Sequence, residues 1–485
     1  MIVAVSVGIL LVPFFFVLIY KAKGKFNRKR LSDAGLILLA AGTGLSSCQI
    51  GKSYTRPDMP LPARLDTLTQ DTASIGDLSW WELYNDTTLQ QLIHRALTYN
   101  KDLKIASARM NELAALKRID FANMFPQATA RLNGNRETTN YGGDNFDADP
   151  ELSLTASISW ELDLWGNLRW ARDHSTAGFL ASVENCRAVK MGLVAQVAQS
   201  YFELMALDNE LAIVRRTLEA RREGVRLAEI RFKGGLTSEI VFQQAKVELA
   251  KTATMVPDLE RRISLKESEI ALLTGDFPYA VNRNVLPEEI QLPDALPLGL
   301  PSTLLERRPD IRKAERELMA AHAEVGLAYT NMFPRLALTA TLGAESETLR
   351  DLLKSPYSYL AGNLLSPLFA MGKNRAALKA KRAAYEGAVA EYEKTVLTAF
   401  KETHNAIINF NKIKDIYESR RQLAEASRTA VELAQLQYIN GVIGYLDLLD
   451  AQRNYFDAQV SLSNAVCDKQ LMIINLYKAL GGGWK

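Results

Sequence analysis

The sequence predicts a mixed α and β protein in which a strand pair followed by a long helical hairpin occurs twice. Three observations support this: landmarks repeat at a nearly constant offset, short segments alternate apolar and polar residues, and long proline-free stretches follow those segments. The 485-residue chain is 48% hydrophobic and 23% charged, which is typical of a folded protein. A formal net charge of +3 lacks the basic excess of a nucleic-acid-binding protein. Three cysteines and four histidines exclude a disulfide framework and give no expectation of a metal site.

The repeat is visible from an identical tetrapeptide. Asn123-Met124-Phe125-Pro126 recurs at residues 331–334, and the landmarks that follow keep their order at an offset of about 206 residues. Those landmark pairs are Gly166 and Gly372, Arg169 and Arg375, Gly235 and Gly441, and Gly275 and Gly481. We therefore predict one repeat over residues 86–275 and a second over residues 302–485. Residues 276–301 hold five prolines and are predicted to be a linker, because proline interrupts helices and sheets.

Each repeat is predicted to contain a β-hairpin. Residues 151–164 alternate with a period of two, which predicts a strand with one apolar and one polar face. The apolar side chains are Leu152, Leu154, Ala156, Ile158, Trp160, Leu162 and Leu164. Its partner is expected over residues 126–134, and the second repeat should form strands near residues 336–342 and 357–369. A membrane-barrel strand and a strand of a soluble sandwich are equally compatible with this one pattern.

Long helices follow the hairpins. We expect a helix over residues 86–122, then helices over residues 168–232 and from 238 to about 274, matched in the second repeat by residues 373–438 and 445–480. Val197, Leu204, Leu211, Leu218 and Val225 recur every seven residues, as in a coiled-coil seam. Glycines at positions 235 and 441 should end the first helix of each hairpin.

The N-terminal region carries a predicted export signal over residues 1–47. Six basic residues precede a short apolar stretch that ends in Leu45-Ser46-Ser47-Cys48, which resembles a bacterial lipobox and predicts a lipidated Cys48. The covalent lipid is the only prosthetic group expected. Residues 1–20 are long enough to span a membrane and are either an upstream mis-assigned start or an extra hydrophobic segment. Residues 48–85 would then form an extended N-terminal segment, and the mature chain would have a net charge near −2.

Two hairpins supply four strands, whereas the smallest membrane barrels have eight. An open sheet edge in lipid would leave backbone groups without hydrogen bonds. If the strands lie in a membrane, several chains must therefore share one barrel.

A set of short motifs, which follow one another in a fixed order along the chain, indicates one protein family. In order, these are the lipobox, Tyr54-x-Arg56-Pro57, Trp80-Trp81, Leu164-Trp165-Gly166, residues 304–311 with the sequence LLERRPDI, and the two Asn-Met-Phe-Pro strands. This order is similar to that of outer-membrane efflux lipoproteins of the NodT/OprM type, which belong with the TolC-like channels. The resemblance implies a homotrimer with a shared 12-stranded outer-membrane β-barrel and a periplasmic α-barrel. It also implies a passive exit duct that works with a periplasmic adaptor and an inner-membrane pump of the RND type. The LLERRPDI segment has a plain structural interpretation, with Pro309 at a helix start and an acid beside it.

The resemblance also indicates a gate at the second hairpin. TolC-like channels carry a tyrosine before the turn glycine and acids after it, which match Tyr438, Asp447 and Asp450. Three copies of the two acids would attract cations and repel anions. The alternative is an ordinary solvated helix face. The arginine and the acid that complete the relative's ion-pair latch are replaced here by Ile443 and Val241, so closure is expected to depend on Tyr438 and apolar contacts.

The hairpin turns are candidate contacts for the adaptor, although ordinary turn chemistry explains their composition equally well. These turn residues are Gly235, Leu236, Thr237, Ser238, Gly441, Val442, Ile443 and Gly444. No catalytic motif is present in the sequence, and a non-enzymatic role is expected. The alternatives are the outer-membrane channel of a type I protein secretion system and a lipid-anchored coiled-coil scaffold.

Overall fold

The computed structural model describes residues 49–60, 77, 79–83, 86–139, 147–283 and 301–483. The export signal, Cys48 and most of the predicted linker lie outside these residues. The chain forms two compact units, and neither unit is a single repeat. Residues 123–170 and 326–374 belong to the first unit, and residues 53–122, 171–325 and 375–485 to the second. Each unit thus combines matching segments from both halves of the sequence, while the repeat boundaries themselves stay a prediction.

The first unit contains one antiparallel sheet with the strand order β1-β2-β3-β4. Its strands are β1 (Gln127–Thr139), β2 (Asp147–Leu162), β3 (Arg335–Ser346) and β4 (Pro356–Leu365). The two hairpins are joined through β2 and β3, where Ala156 lies opposite Leu342. The predicted last strand near 357–369 ends earlier than expected, because Pro367 cannot donate a ladder hydrogen bond. Strands β1 and β4 form the two outer edges of this sheet.

The faces of the sheet are arranged unlike those of a soluble sheet. On β2, the apolar Leu154 is 40% exposed, whereas the neighbouring polar Ser153 is only 8% exposed. On the polar face, the hydroxyls of Ser157 and Thr341 lie 2.9 Å apart, within hydrogen-bond distance. On the apolar face, Leu154 lies opposite Leu132 of β1, which is also exposed. An outward apolar face is what a lipid-facing strand requires, and it argues against the soluble sandwich.

Four long helices dominate the second unit. They are α4 (Asn167–Lys233), α5 (Glu239–Thr274), α8 (Lys373–Ile439) and α9 (Tyr445–Ala479). Their bounds confirm the predicted helical hairpins to within one or two residues. The seven-residue seam is confirmed over most of its length, since Val197 and Leu204 are fully buried and Leu211 and Leu218 nearly so. Among the described helices, none is long and apolar enough to cross a membrane.

The predicted single helix over residues 86–122 is wrong in one respect. It is divided into α2 (Thr87–Tyr99) and α3 (Lys101–Ala122) at Asn100, after the short helix α1 (Trp80–Leu83). The Asn100 side chain donates to the carbonyl of Leu273 at 3.0 Å and accepts from the amide of Leu103 at 3.0 Å. A buried asparagine thereby caps the second helix and fixes it to the end of α5.

The LLERRPDI segment lies at the junction of α6 (Pro301–Arg307) and α7 (Pro309–Thr330). Pro309 is the first residue of α7 and Asp310 is in its first turn, which confirms the structural interpretation of this segment. The buried Arg308 guanidinium binds the carboxylates of Asp310 at 2.6 Å and Glu402 at 2.7 Å. It also donates to the carbonyl of Ala479 at 3.2 Å. This segment therefore joins α7 to both helices of the second hairpin.

Candidate gate and hairpin tips

The two hairpin turns have the same backbone structure. In the first, Gly235 has φ +72° and the Leu236 amide donates to the carbonyl of Arg231 at 2.8 Å. In the second, Gly441 has φ +75° and the Val442 amide donates to the carbonyl of Gln437 at 2.8 Å. Both are Schellman motifs, which need a residue in the left-handed region and so favour glycine. Leu236 and Val442 follow directly and are more than 70% exposed.

The remaining turn residues lead into the return helices. Ser238 and Gly444 precede α5 and α9 with extended backbone, and neither supplies a side-chain cap. Thr237 is half-buried, and its hydroxyl has no hydrogen-bond partner in the described structure. Ile443 lies beside Gly444 at the end of the second turn. Leu236 and Val442 are thus the exposed large hydrophobic residues of the two turns, and the adaptor contact stays a prediction.

Asp447 has a structural role at the second turn. Its carboxylate accepts a hydrogen bond of 3.0 Å from the backbone amide of Gly444, which satisfies a donor at the start of α9. A carboxylate is also favoured there by the helix dipole. One turn further along, the Asp450 carboxylate accepts a bond of 3.3 Å from the side-chain amide of Asn454. Both acids lie on the exposed part of one helix, and their role in a gate stays a prediction.

Tyr438 is held by contacts that the sequence did not predict. Its ring packs edge-to-face against Tyr445 across the turn, with centroids 5.8 Å apart. The guanidinium carbon of Arg231, on the other hairpin, lies 4.9 Å from the centre of the Tyr438 ring. The ring is therefore in contact with a cation, although position 443, where the resemblance led us to expect an arginine, is Ile443. Arg231 lies in the last turn of α4, where the helix dipole favours a cation, and this position was the available signal.

A second charged contact joins the hairpins further from the turns. The buried Glu248 carboxylate of α5 binds Arg453 of α9, and its other oxygen lies 3.3 Å from Arg221 of α4. Lys251 approaches the same carboxylate at 3.3 Å. The hydrogen bond from Arg453 and the nearby positive charges lower the pKa of Glu248, although burial opposes this. Glu248 therefore stays ionised at neutral pH.

The residues that follow Cys48 pack on the end of the sheet. The Ile50 amide donates to the carbonyl of Trp165 at 3.2 Å, and the Trp170 indole donates to the carbonyl of Ile50 at 3.0 Å. Gln49 lies against Gly166, where a Cβ atom would come within 2.8 Å of its side chain. Gly166 also has a positive φ of 84°, so the Leu164-Trp165-Gly166 motif accommodates the N-terminal segment.

Further along the N-terminal segment, Tyr54 and Arg56 contact residues of α7 within the second unit. Arg56 forms two hydrogen bonds with Glu315, at 2.6 and 2.7 Å. The Tyr54 ring packs edge-to-face on His322, and burial raises the pKa of its hydroxyl to about 12. Tyr54 and Arg56 of this motif therefore hold the extended N-terminal segment through a ring contact and an ion pair.

Comparison with known proteins identifies the architecture. A profile of the outer membrane efflux protein family matches residues 92–276 and 300–482, which together are well over half of the chain. The chain belongs to this family. The solvent efflux pump outer membrane protein SrpC of Pseudomonas putida is 32% identical over 456 residues, covering 91% of this chain and 96% of SrpC. The cation efflux system protein CusC of Escherichia coli is 28% identical over 462 residues, covering 94% and 100%.

A solved structure of the outer-membrane channel OprN superposes on this efflux protein with a TM-score of 0.84 and 31% identity, covering 90% of this chain and all of that one. These similarities confirm the predicted TolC-like fold, the outer-membrane location and the efflux class. They are consistent with the strand and helix arrangement described above.

Proposed function

We propose that three copies of this chain form a lipid-anchored exit duct in the outer membrane, which passively conducts small molecules. Within this proposal, an inner-membrane pump of the RND type delivers the cargo, and a periplasmic adaptor opens the duct at the hairpin tips. The duct carries out no catalysis and takes no cofactor besides the lipid on Cys48. SrpC and CusC are named for solvent and cation efflux, which favours small molecules over secreted proteins.

The observation that carries the proposal is the four-stranded sheet with an outward apolar face. Leu132, Leu154 and Trp160 are exposed on it, and β1 and β4 are edges within one chain. In lipid these edges must be paired, because no water is available to satisfy their backbone groups. Pairing β4 of one copy with β1 of the next closes a barrel of 12 strands from three copies, within the size range of membrane barrels.

The duct is tested by single-channel conductance of the purified trimer in a planar bilayer. The wild type should give a small, cation-selective conductance. Asp447→Ala/Asp450→Ala should reduce the cation selectivity, since it removes the acids nearest the second turn. It should also raise the conductance, since the loss of the Asp447 hydrogen bond to Gly444 loosens that turn. The matched control is Asp258→Ala/Glu260→Ala, which removes two exposed acids from the middle of α5. Inserted trimers that do not conduct would contradict the duct and favour the lipid-anchored scaffold.

The adaptor contact needs a separate test. Leu236→Asp and Val442→Asp place a charge on exposed apolar tip residues. We expect conductance of the isolated trimer to stay at the wild-type value, while efflux in cells falls because the adaptor no longer docks. Leu227→Asp, at an exposed position two turns before Gly235, is the control. Normal efflux by both tip variants would assign the turns to ordinary turn chemistry.

A further inference from the structure

The polar face of the four-stranded sheet carries a single charged side chain across its central part. In one row of paired residues, Arg131 of β1 lies opposite Thr155 of β2. Thr155 in turn lies opposite Gly343 of β3, and Gly343 lies opposite Tyr357 of β4. The two rows next to it on the same face are uncharged and consist of Thr129, Ser157, Thr341 and Tyr359, and of Gln127, Ser159, Thr339 and Ala361. Arg131 is therefore the one charged residue in these three described rows.

The charge of Arg131 is not compensated by its neighbours on this face. The described ion pairs include none from Arg131, whose side chain is exposed. Glu345 belongs to the next row, that of Asn133, and lies two strands away from β1. Strand β4 has the sequence PYSYLAGNLL, which contains no charged residue. When β4 of the next copy pairs with β1, as in the proposed closed barrel, it therefore brings no counter-charge to Arg131.

Gly343 allows the aromatic ring in the row of Arg131 to lie along the sheet. A Cβ atom at Gly343 would come within 2.6 Å of the Tyr357 ring and within 2.8 Å of its hydroxyl oxygen. The end of the Tyr357 side chain therefore lies over the bare backbone of the neighbouring strand, and the ring does not stand up from the sheet. The space in front of the polar face stays open, so a solute passing along this face can approach the Arg131 guanidinium.

Three copies of this charge would act across the whole interior of the proposed barrel. With strands about 4.8 Å apart and tilted by about 40°, a barrel of 12 strands has a radius of about 12 Å. That radius is close to the Debye length of about 10 Å at 0.1 M salt, so water and ions do not screen the charges fully. We propose that Arg131 sets the charge preference of the barrel interior, where three copies favour small anionic solutes over cations. This preference rests on the proposed duct and specifies the class of solute that its barrel favours.

The first test is the reversal potential of single trimers under a salt gradient, which gives the ratio of anion to cation permeability. It uses Asp447→Ala/Asp450→Ala trimers, which lack the acids expected to select cations at the second turn. In this background Arg131→Gln should lower the ratio about threefold, because the positive charge is lost. Arg131→Lys keeps the charge and should retain the ratio. Arg136→Gln is the matched control, since Arg136 is on the same strand but on the opposite face of the sheet.

A second test measures the local potential without any conduction. Thr129→Cys places a thiol on the same face, at an exposed position two residues before Arg131. The background carries Cys186→Ser, Cys467 is buried, and the proposed lipid blocks Cys48. The rate of reaction with an anionic methanethiosulfonate is divided by the rate with a cationic one. Arg131→Gln should lower this quotient about threefold, and the matched control should leave it unchanged.

The outcomes separate the role of Arg131 from the duct itself. An unchanged permeability ratio in conducting Arg131→Gln trimers overturns that role, and so does an unchanged quotient of reaction rates in any trimer. A lowered quotient in trimers that never conduct supports a positive barrel interior and contradicts the duct. If Arg136→Gln lowers either quantity as much as Arg131→Gln, the effect is one of general surface charge, and the assignment to Arg131 is wrong.

Discussion

The Arg231 guanidinium lies over the ring of Tyr438, 4.9 Å from its centre, although the two residues are on different helical hairpins. A cation over an aromatic ring stabilises a contact by about 1 kcal/mol, which is roughly a fivefold change in an equilibrium constant. Such a contact is weak enough to be broken and strong enough to bias the position of the hairpin tips.

We therefore expect Tyr438→Ala to raise the open probability of the single channel about fivefold, because the ring is lost. Tyr438→Phe keeps the ring face and should stay close to the wild type. Arg231→Gln should resemble Tyr438→Ala. An equal increase in open probability in the Phe and Ala variants would show that the hydroxyl, and not the ring, holds the tip.

Gly326 is expected to be intolerant of any side chain. A Cβ atom there would lie 2.3 Å from the Trp170 ring, whose indole also bonds to Ile50. Gly326→Ala should lower the free energy of unfolding by about 1–3 kcal/mol, measured by thermal unfolding in detergent. At Gly387, in α8, an added Cβ atom would have no neighbouring atom within 4 Å. Gly387→Ala should therefore raise the free energy of unfolding by up to about 1 kcal/mol. If Gly326→Ala leaves the free energy of unfolding unchanged, the Trp170 ring can move aside to accept the added methyl group.

Arg308→Met should be strongly destabilising at neutral pH. Burial favours a neutral Asp310, but the hydrogen bond and charge of Arg308 outweigh it and lower the pKa of Asp310. The side chains of Asp310 and Glu402 are 36% and 52% exposed, so water screens the charges that remain, and the loss of the charged hydrogen bonds of Arg308 should cost about 1–3 kcal/mol. A carboxyl group with a lowered pKa contributes stability above its ordinary pKa, and this contribution is lost as pH falls through the folded-state pKa.

The difference in unfolding free energy between wild type and Arg308→Met should therefore be largest near pH 7 and narrow as pH falls below about 4, through the lowered pKa of folded Asp310. This difference can be measured by monitoring the unfolding of both proteins with circular dichroism at a series of pH values. Arg316→Met, in the neighbouring helix α7, is the control, because the hydrogen bond of Arg316 goes to the sulfur of Met319. A difference that does not change with pH would exclude Asp310 as the relevant partner.

The Cys467 thiol should not react with alkylating reagents in the folded protein. Its side chain is buried, its sulfur donates to the carbonyl of Phe202, and burial raises the thiol pKa to about 12. At pH 8 its thiolate fraction should be about a thousandfold below that of an ordinary cysteine. Alkylation followed by mass spectrometry should label Cys467 only after unfolding, and the less buried Cys186 earlier. Equal labelling of both would contradict the packing around α9.

The sequence was sufficient for elements whose determinants are local. Long periodic stretches, proline-free in α4, α8 and α9 but not in α5 with its Pro257, and the turn glycines at 235 and 441 predicted the helical hairpins closely, and alternation predicted the strands. The break at Asn100 was missed because its partner is the carbonyl of Leu273, 173 residues away. The contacts of Glu248 with Arg453 and of Arg231 with Tyr438 join positions about 200 residues apart. Periodicity within one helix carries no information about such pairings.

The two outer edges of the sheet have a genetic consequence. In the proposed trimer, a chain whose β4 cannot accept a neighbour would still offer a normal β1 edge, so it could enter an assembly that it then prevents from closing. In a cell that makes both normal and edge-damaged copies, each damaged copy would disable the normal ones with which it associates. Such alleles would be dominant, and the loss of efflux would exceed their share of the protein produced.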